Sequence, residues 1–302
     1  MFKSLLTLFI AATLAPESST INFPTDIIEN LKPVTDIVEN FIPDTSAKPK
    51  KDPFKIAPVI DARSSLAVDL ETNTVLYAKN IYERVPIASI TKLMTAIVVL
   101  EKDELDKTYI TSKTASSVEG MKIYLLPGEK ITIENLLYAI LIHSGNDAAI
   151  ALAEATAGTT SDFIDSMNKK AKQLGLKNTH FANPVGLDEQ DGYSNAYDLY
   201  LIAKYAYQYD FVKKAVKIDE MSISSTNGKI VHKLENTNQL LNSYLNIEGL
   251  KTGLTDEAKQ CLVTVASDDD GNKIMTIILG SDDRFQESKI LIDWVFRAYE
   301  FN

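Results

Sequence analysis

Ser89 and Lys92 stand three residues apart in Ser89-Ile90-Thr91-Lys92, directly after Pro86-Ile87-Ala88 and at the head of an apolar helical pattern. Residues at that spacing share one helical face, so the hydroxyl and the amine can touch, which is how a serine nucleophile is paired with a base. A helix N-terminus adds positive potential and free N–H groups beside the serine, where an oxyanion would develop. The spacing alone identifies nothing: Ser166-Met167-Asn168-Lys169 repeats it inside a polar helical stretch, where a solvated face is the better reading. Ser89 differs in its company. Ser144-Gly145-Asn146 follows an apolar helix, and Lys251-Thr252-Gly253 ends the strand-like run Ile247 to Leu250, so three polar motifs lie far apart in the chain and in a fixed order.

The elements that must bring them together are legible from periodicity and turn residues. Apolar runs around Glu71-Thr72-Asn73 predict a hairpin from Ser65 to Ala78; Asn227-Gly228 and Asp270-Gly271 predict two more, Met221 to Leu234 and Cys261 to Leu279. Between them, helices are expected over Ser89–Glu101, Ile133–Ile142, Ala148–Ala157, Ser161–Leu174 and Ala196–Tyr207, with a last one over Phe285–Tyr299. Strands at both ends with helices between predict an antiparallel sheet built from N- and C-terminal segments and an inserted helical subdomain, with the polar motifs meeting at the junction.

Composition narrows the function. Among 302 residues the formal net charge is -10, the wrong sign for a partner held by phosphates, so no nucleic acid is expected. The single cysteine, Cys261, lies in an apolar run and excludes an intrachain disulfide. His143, His180 and His232 are far apart and none has a second histidine or cysteine at ligand spacing; no metal site and no cofactor are expected. Met1-Phe2-Lys3 and the apolar Ser4–Leu14 form a signal peptide or N-terminal anchor over residues 1–15, which implies an extracytoplasmic location. Residues 16–55 read as a Pro-rich spacer in which Thr25-Asp26-Ile27-Ile28-Glu29-Asn30 recurs as Thr35-Asp36-Ile37-Val38-Glu39-Asn40, with Lys48, Lys50 and Lys51 solvated at its end. The catalytic domain is expected over 56–302.

Together S-x-x-K, S-x-N and K-T-G are the motif set of penicillin-binding proteins and serine β-lactamases. With Leu126-Pro127-Gly128-Glu129, Phe181-Ala182-Asn183-Pro184-Val185-Gly186-Leu187 and Asn236-Thr237-Asn238 beside them, the span from about residue 60 onward resembles the D-alanyl-D-alanine carboxypeptidases, the low-molecular-weight penicillin-binding proteins of the S11 peptidase family. The resemblance implies an α/β fold, more narrowly α+β, of the β-lactamase/penicillin-binding transpeptidase type. It implies removal of terminal D-alanine from peptidoglycan stem peptides through an acyl-enzyme on Ser89, inhibition by β-lactams, and membrane contact only through an N-terminal anchor. Lys92 would take the serine proton, which asks for a depression of about three pKa units, or ~4 kcal/mol, from burial and a neighbouring cation such as Lys251. Ser144 would relay the proton, Asn146 would hold Lys92 and the substrate amide, and Lys251, Thr252 and Gly253 would receive the substrate. The backbone N–H groups of Ser89 and Leu254 would form the oxyanion hole. The small Gly253 would let the ligand approach.

Some positions depart from the family. Lys259 and Gln260 follow Ala258 where Ala-Gly is common, Gly192 stands where histidine is frequent and Tyr197 where arginine is; substrate preference rather than chemistry is affected. The β-rich C-terminal module and C-terminal amphipathic anchor of many relatives are missing, so any tether is expected at the N-terminus. An endopeptidase or transpeptidase on the same scaffold, a β-lactamase, and an inactive peptide-binding relative are the alternatives; the class A β-lactamase pentapeptide E-x-x-L-N is not found.

Overall fold

The structure is a computed structural model that describes residues 47–301. The apolar N-terminal stretch and the decapeptide repeat lie outside the described residues. After β1 (Lys50–Lys51), the hairpin β2 (Ser64–Asp69) and β3 (Val75–Lys79) turns at Asn73, whose φ of 58° is one that asparagine tolerates. A 3-10 turn, Ala88–Thr91, opens α1 (Lys92–Lys102). The helical block continues through β4 (Thr108–Ile110), α2 (Lys113–Ser117), β5 (Lys130–Thr132), α3 (Ile133–Tyr138), α4 (Asn146–Ala157), α5 (Thr160–Gln173), α6 (Ala196–Ala206) and α7 (Asp210–Ala215). The hairpin β6 (Glu220–Ser224) and β7 (Val231–Glu235) leads to β8 (Asn246–Thr255), β9 (Lys259–Ser267) and β10 (Lys273–Ser281), then to α8 (Arg284–Ala298) and β11 (Tyr299–Glu300).

The main sheet is antiparallel, in the order β3-β2-β10-β9-β8, with Met275 opposite both Val68 and Val265. Terminal strands thus enclose a helical insertion, the α+β arrangement expected from the order of elements. Side chains alternate across the sheet. Ile274 and Ile278 join Leu291, Ile292 and Val295 of α8 in one core, whereas Met275, Ile277 and Leu279 face a larger core shared with Leu93, Met94 and Ile97 of α1. Because α1 is buried from Lys92 to Val99, it is the hub on which sheet and helices both pack. Among the described residues no helix is long and apolar enough to cross a membrane.

Three local differences from expectation matter. The helix predicted from Ser89 begins as the tighter 3-10 turn, preceded by a left-handed Ala88 (φ 48°), and becomes α only at Lys92. The helix predicted over Ile133–Ile142 is α only to Tyr138 and then widens into a π turn, Ala139–His143, that releases Ser144 into a left-handed conformation (φ 64°). Finally, Lys50 and Lys51 are exposed but also structured: β1 pairs with β11, Asp52 N donates to the Ala298 carbonyl (2.8 Å), and the Lys51 ammonium lies 5.5 Å from the Trp294 ring centre.

Candidate active site

Lys92 is fully buried and its Nζ has three neighbours, each at 2.7 Å: Ser89 Oγ, Asn146 Oδ1 and the Val185 carbonyl oxygen. Two of these are carbonyl oxygens, which only accept, so two Nζ–H bonds are committed to them. The third tetrahedral direction points to a hydroxyl that can accept or donate. When Lys92 is charged it donates to Ser89; when neutral, its lone pair occupies that direction and the Ser89 hydroxyl donates to it. Burial, followed by the charge of Lys251, pushes the Lys92 amine well below its ordinary range, with Asp147 opposing. The geometry therefore turns the one uncommitted direction of the amine toward Ser89.

The Val185 acceptor comes from a turn that the sequence singled out without assigning it a role. Asn183 Oδ1 accepts from the Val185 (3.1 Å) and Gly186 (2.6 Å) amides, an Asx turn, while Thr95 Oγ1 donates to the Pro184 carbonyl (2.7 Å). The signal was there in Asn183-Pro184 followed by Gly186, a turn signature.

Asn146 is held at both ends of its amide. Its Oδ1 accepts from Lys92, and its Nδ2 donates to the Glu119 carbonyl (2.7 Å), which leaves only one way round for the side chain. Its neighbour Asp147, also buried, accepts from the Ile123 (3.1 Å) and Leu125 (3.0 Å) amides and so fastens the segment 121–125 over the Ser144-Gly145-Asn146 loop. Ser144 is in this loop and buried, but its hydroxyl has no hydrogen-bond partner among the described residues. The structure thus joins Ser89, Lys92 and Asn146 directly and does not wire Ser144 to them.

The motif Lys251-Thr252-Gly253 lies in β8, the edge strand, where it runs beside the 3-10 turn that carries Ser89. A Cβ at Gly253 would stand 3.0 Å from the Ile87 carbonyl oxygen and 3.1 Å from Ser89 N. Gly253 thus lets β8 pack tightly against the backbone turn that carries Ser89. The Leu254 side chain is exposed. Thr252 Oγ1 meets Thr237 Oγ1 at 2.6 Å, and Lys251 Nζ donates to the Thr252 carbonyl (3.1 Å). Burial, reinforced by the Arg284 guanidinium, brings Lys251 down to about 7. Arg284 was not among the predicted site residues. It donates through Nη1 to the Gly253 carbonyl (2.6 Å), and its buried Nε has no partner among the described residues. Nothing local in Asp283-Arg284-Phe285 signals this, because the contact spans 31 residues of sequence. The second S-x-x-K is remote from this chemistry: Ser166 Oγ accepts from the exposed Lys102.

Lys259, which stands where the family commonly has glycine, adopts a left-handed φ of 52° at the β8–β9 turn. The turn is kept, with a residue that is less at ease in it. Its ammonium reaches Asp282 (2.9 Å) on the far side of the turn.

Comparison with known proteins gives a consistent picture. The family model for D-alanyl-D-alanine carboxypeptidase, peptidase S11, matches residues 51–283. The chain is 39% identical over 249 residues to the D-alanyl-D-alanine carboxypeptidase DacF of Bacillus subtilis, which covers 80% of this chain and 63% of that protein. A D-alanyl-D-alanine endopeptidase of Pseudomonas aeruginosa is 33% identical, over 83% of this chain and 82% of the relative. Among solved structures the DD-transpeptidase of Streptomyces K15 superposes with a TM-score of 0.75 at 32% identity, covering 80% of this chain and 99% of that one. The chain spans a little under two thirds of the length of the first curated relatives it matches, 63% for two of them.

Proposed function

Since this chain belongs to the D-alanyl-D-alanine carboxypeptidase family, peptidase S11, we propose that it is a serine D,D-carboxypeptidase that removes the terminal D-alanine from peptidoglycan stem peptides on the outer side of the cytoplasmic membrane. The observation that carries this reading is the buried Lys92 amine, bound to two carbonyl acceptors and turned toward Ser89.

The geometry supports the following course. Ser89 Oγ attacks the carbonyl carbon of the penultimate D-alanine while its proton passes to Lys92 Nζ. The tetrahedral oxyanion is held by the amides of Ser89 and Leu254; one such donor contributes about 3 to 4 kcal/mol. Lys251, Thr252 and the Arg284 guanidinium receive the substrate's terminal carboxylate. The peptide lies along the free edge of β8 as an added strand, with its amide against Asn146. Collapse of the intermediate breaks the C–N bond, and the departing amine takes the proton from Lys92. Ser144, whose hydroxyl has no hydrogen-bond partner among the described residues, relays it in this reading. Water then attacks the ester with Lys92 again as base. A β-lactam opens on Ser89 by the same first step.

The test is incubation with a muropeptide mixture followed by mass analysis, with Ser89→Ala alongside. Loss of one D-alanine, absent in the variant, supports the reading. The endopeptidase and transpeptidase names among the relatives define the second reading on this site: shortened cross-links or new peptide joins without free D-alanine would establish it instead.

A further inference from the structure

Asp188 follows closely on the turn whose Val185 carbonyl accepts from Lys92. It is exposed, yet both of its carboxylate oxygens are engaged by a distant part of the chain. Oδ1 accepts from Thr255 Oγ1 (2.6 Å) and Oδ2 from the Glu257 amide (3.2 Å). The Thr255 hydroxyl in turn accepts from the Ala258 amide (3.1 Å), so the contact extends through the β8–β9 turn. An ionised acceptor makes a stronger hydrogen bond than a neutral one, and two donors on separate groups fix the orientation of the carboxylate as well as its position.

The loop can carry that contact because it is itself tied. Asn183 Oδ1 accepts from the Val185 and Gly186 amides, and Asn183 Nδ2 donates to the Leu187 carbonyl (3.0 Å) and to Glu189 Oε1 (2.9 Å). Asp188 thus lies between two residues that are fastened to one side chain. The two segments it joins both border the turn that carries Ser89. Gly186 lies against the Ala88 carbonyl, and Gly253 against the Ile87 carbonyl and the Ser89 amide; a Cβ placed on either glycine would come within 3.1 Å of that backbone. Thr255 is the last residue of β8 and directly follows Leu254, whose amide is an oxyanion donor of the proposed reaction. Because β8 is an edge strand, the sheet holds this end from one side only, through β9.

We propose that Asp188 is a positioning residue for the oxyanion hole: by tying the end of β8 to the 183–189 loop, it keeps the Leu254 amide in register with Ser89 and with the Lys92 amine. It touches neither the substrate nor the reacting atoms. It links the segment that orients the base to the segment that offers the donor, and misplacement of either slows the chemical step rather than the first binding step. The inference rests on the carboxypeptidase reading for the role of the Leu254 amide.

Acylation by a penicillin, resolved into the dissociation constant of the first complex and the acylation rate constant, tests it on the unmodified protein, Asp188→Ala, Thr255→Val and the double variant. Affinity for a boronic acid, whose adduct with Ser89 places an oxygen where the oxyanion forms, is measured on the same set. Asp188→Ala is expected to lower the rate constant and the boronic acid affinity by a common factor of about five to thirty, with the dissociation constant changed by less than about two-fold. Thr255→Val is expected to show a smaller loss of the same kind, and the double variant a loss well short of the product of the two, because the pair acts as one contact. Asp188→Asn, which keeps one acceptor oxygen, is expected to recover part of the rate. A rate constant in Asp188→Ala within about two-fold of the unmodified protein's, a loss confined to the dissociation constant, or losses that multiply in the double variant overturn the proposal and leave the carboxypeptidase reading in place. If the unmodified protein is not acylated, the serine peptidase reading fails, and amide hydrogen exchange decides the contact alone: amides of residues 254–258 that exchange no faster in Asp188→Ala reject it.

Discussion

Gly186 presses against Ala88 so closely that a Cβ on it would stand 1.9 Å from the Ala88 carbonyl oxygen and 2.9 Å from Thr91 Oγ1. Its φ of 83° adds a conformational demand of its own. The contact sets the turn that offers the Val185 carbonyl to Lys92 against the turn that carries Ser89. Gly186→Ala is therefore expected to destabilise the protein by about 2 to 4 kcal/mol and to slow acylation as well. Urea denaturation and labelling by a fluorescent penicillin measure the two effects; unchanged labelling would mean the Val185 contact is dispensable.

Lys92→Arg keeps a positive charge at the position but replaces a group that can be neutral with one that cannot. Acylation by penicillin is expected to fall by about 10²- to 10⁴-fold, the range of a lost general base. Stopped-flow or gel-based acylation kinetics would show this, and a variant within a few-fold of the parent would exclude Lys92 as the base.

The two lowered lysines set opposite limbs of the pH profile. Lys92 must be neutral to accept a proton, so activity rises with pH through its depressed pKa; Lys251 must be charged to hold a carboxylate, so activity declines as pH passes about 7 in the free enzyme. Removing the Lys251 charge also raises the Lys92 pKa, so Lys251→Met is expected to move the rising limb of penicillin acylation to higher pH. A limb that stays in place would show that Lys251 does not act on Lys92.

Stability carries the same signature. Between about 7 and the ordinary lysine range the unfolded chain holds more protons than the folded one at Lys251, so stability rises with pH there, by up to about 1.4 kcal/mol per pH unit for one group. Tyr109 and Tyr200, both raised to about 12 by burial first of all, reverse the slope above pH 10. Denaturation midpoints from pH 6 to 9.5 are expected to climb, and to climb less in Lys251→Met; a flat series in both would refute the assignment.

Lys259→Asn places a residue tolerant of the left-handed region at the β8–β9 turn and removes only an exposed ion pair with Asp282. A gain of about 0.5 to 1 kcal/mol is expected from thermal or urea unfolding. A loss would show that the ion pair outweighs the backbone strain.

Much of the scaffold was open to reading because its determinants are local. Asn227-Gly228 and Asp270-Gly271 specify hairpins through the turn conformations they allow, and the helices end at Gly158 and near Gly175 for a similar reason. The closeness of Ser89 and Lys92 is likewise local, since it follows from three residues of helical rise. Gly253 was visible as a glycine, but its closeness to the backbone of Ile87 to Ser89 was not, because those residues are remote from it in the chain.

The sequence by itself determined the order of strands and helices, the pairing of Ser89 with Lys92, and the likeness to a family through motifs at Ser144, Asn146 and Lys251. Tertiary structure alone decided the surroundings of the Lys92 amine: burial and then Lys251 depress its pKa, and the acceptors at Asn146 and Val185 that orient it lie 54 and 93 residues away. It also brought the Arg284 guanidinium to the Gly253 carbonyl, 31 residues away. The physical reason is common to these cases. Spacing along the chain governs contacts within a few residues, whereas charge, solvation and cavity shape depend on which distant segments the fold packs together.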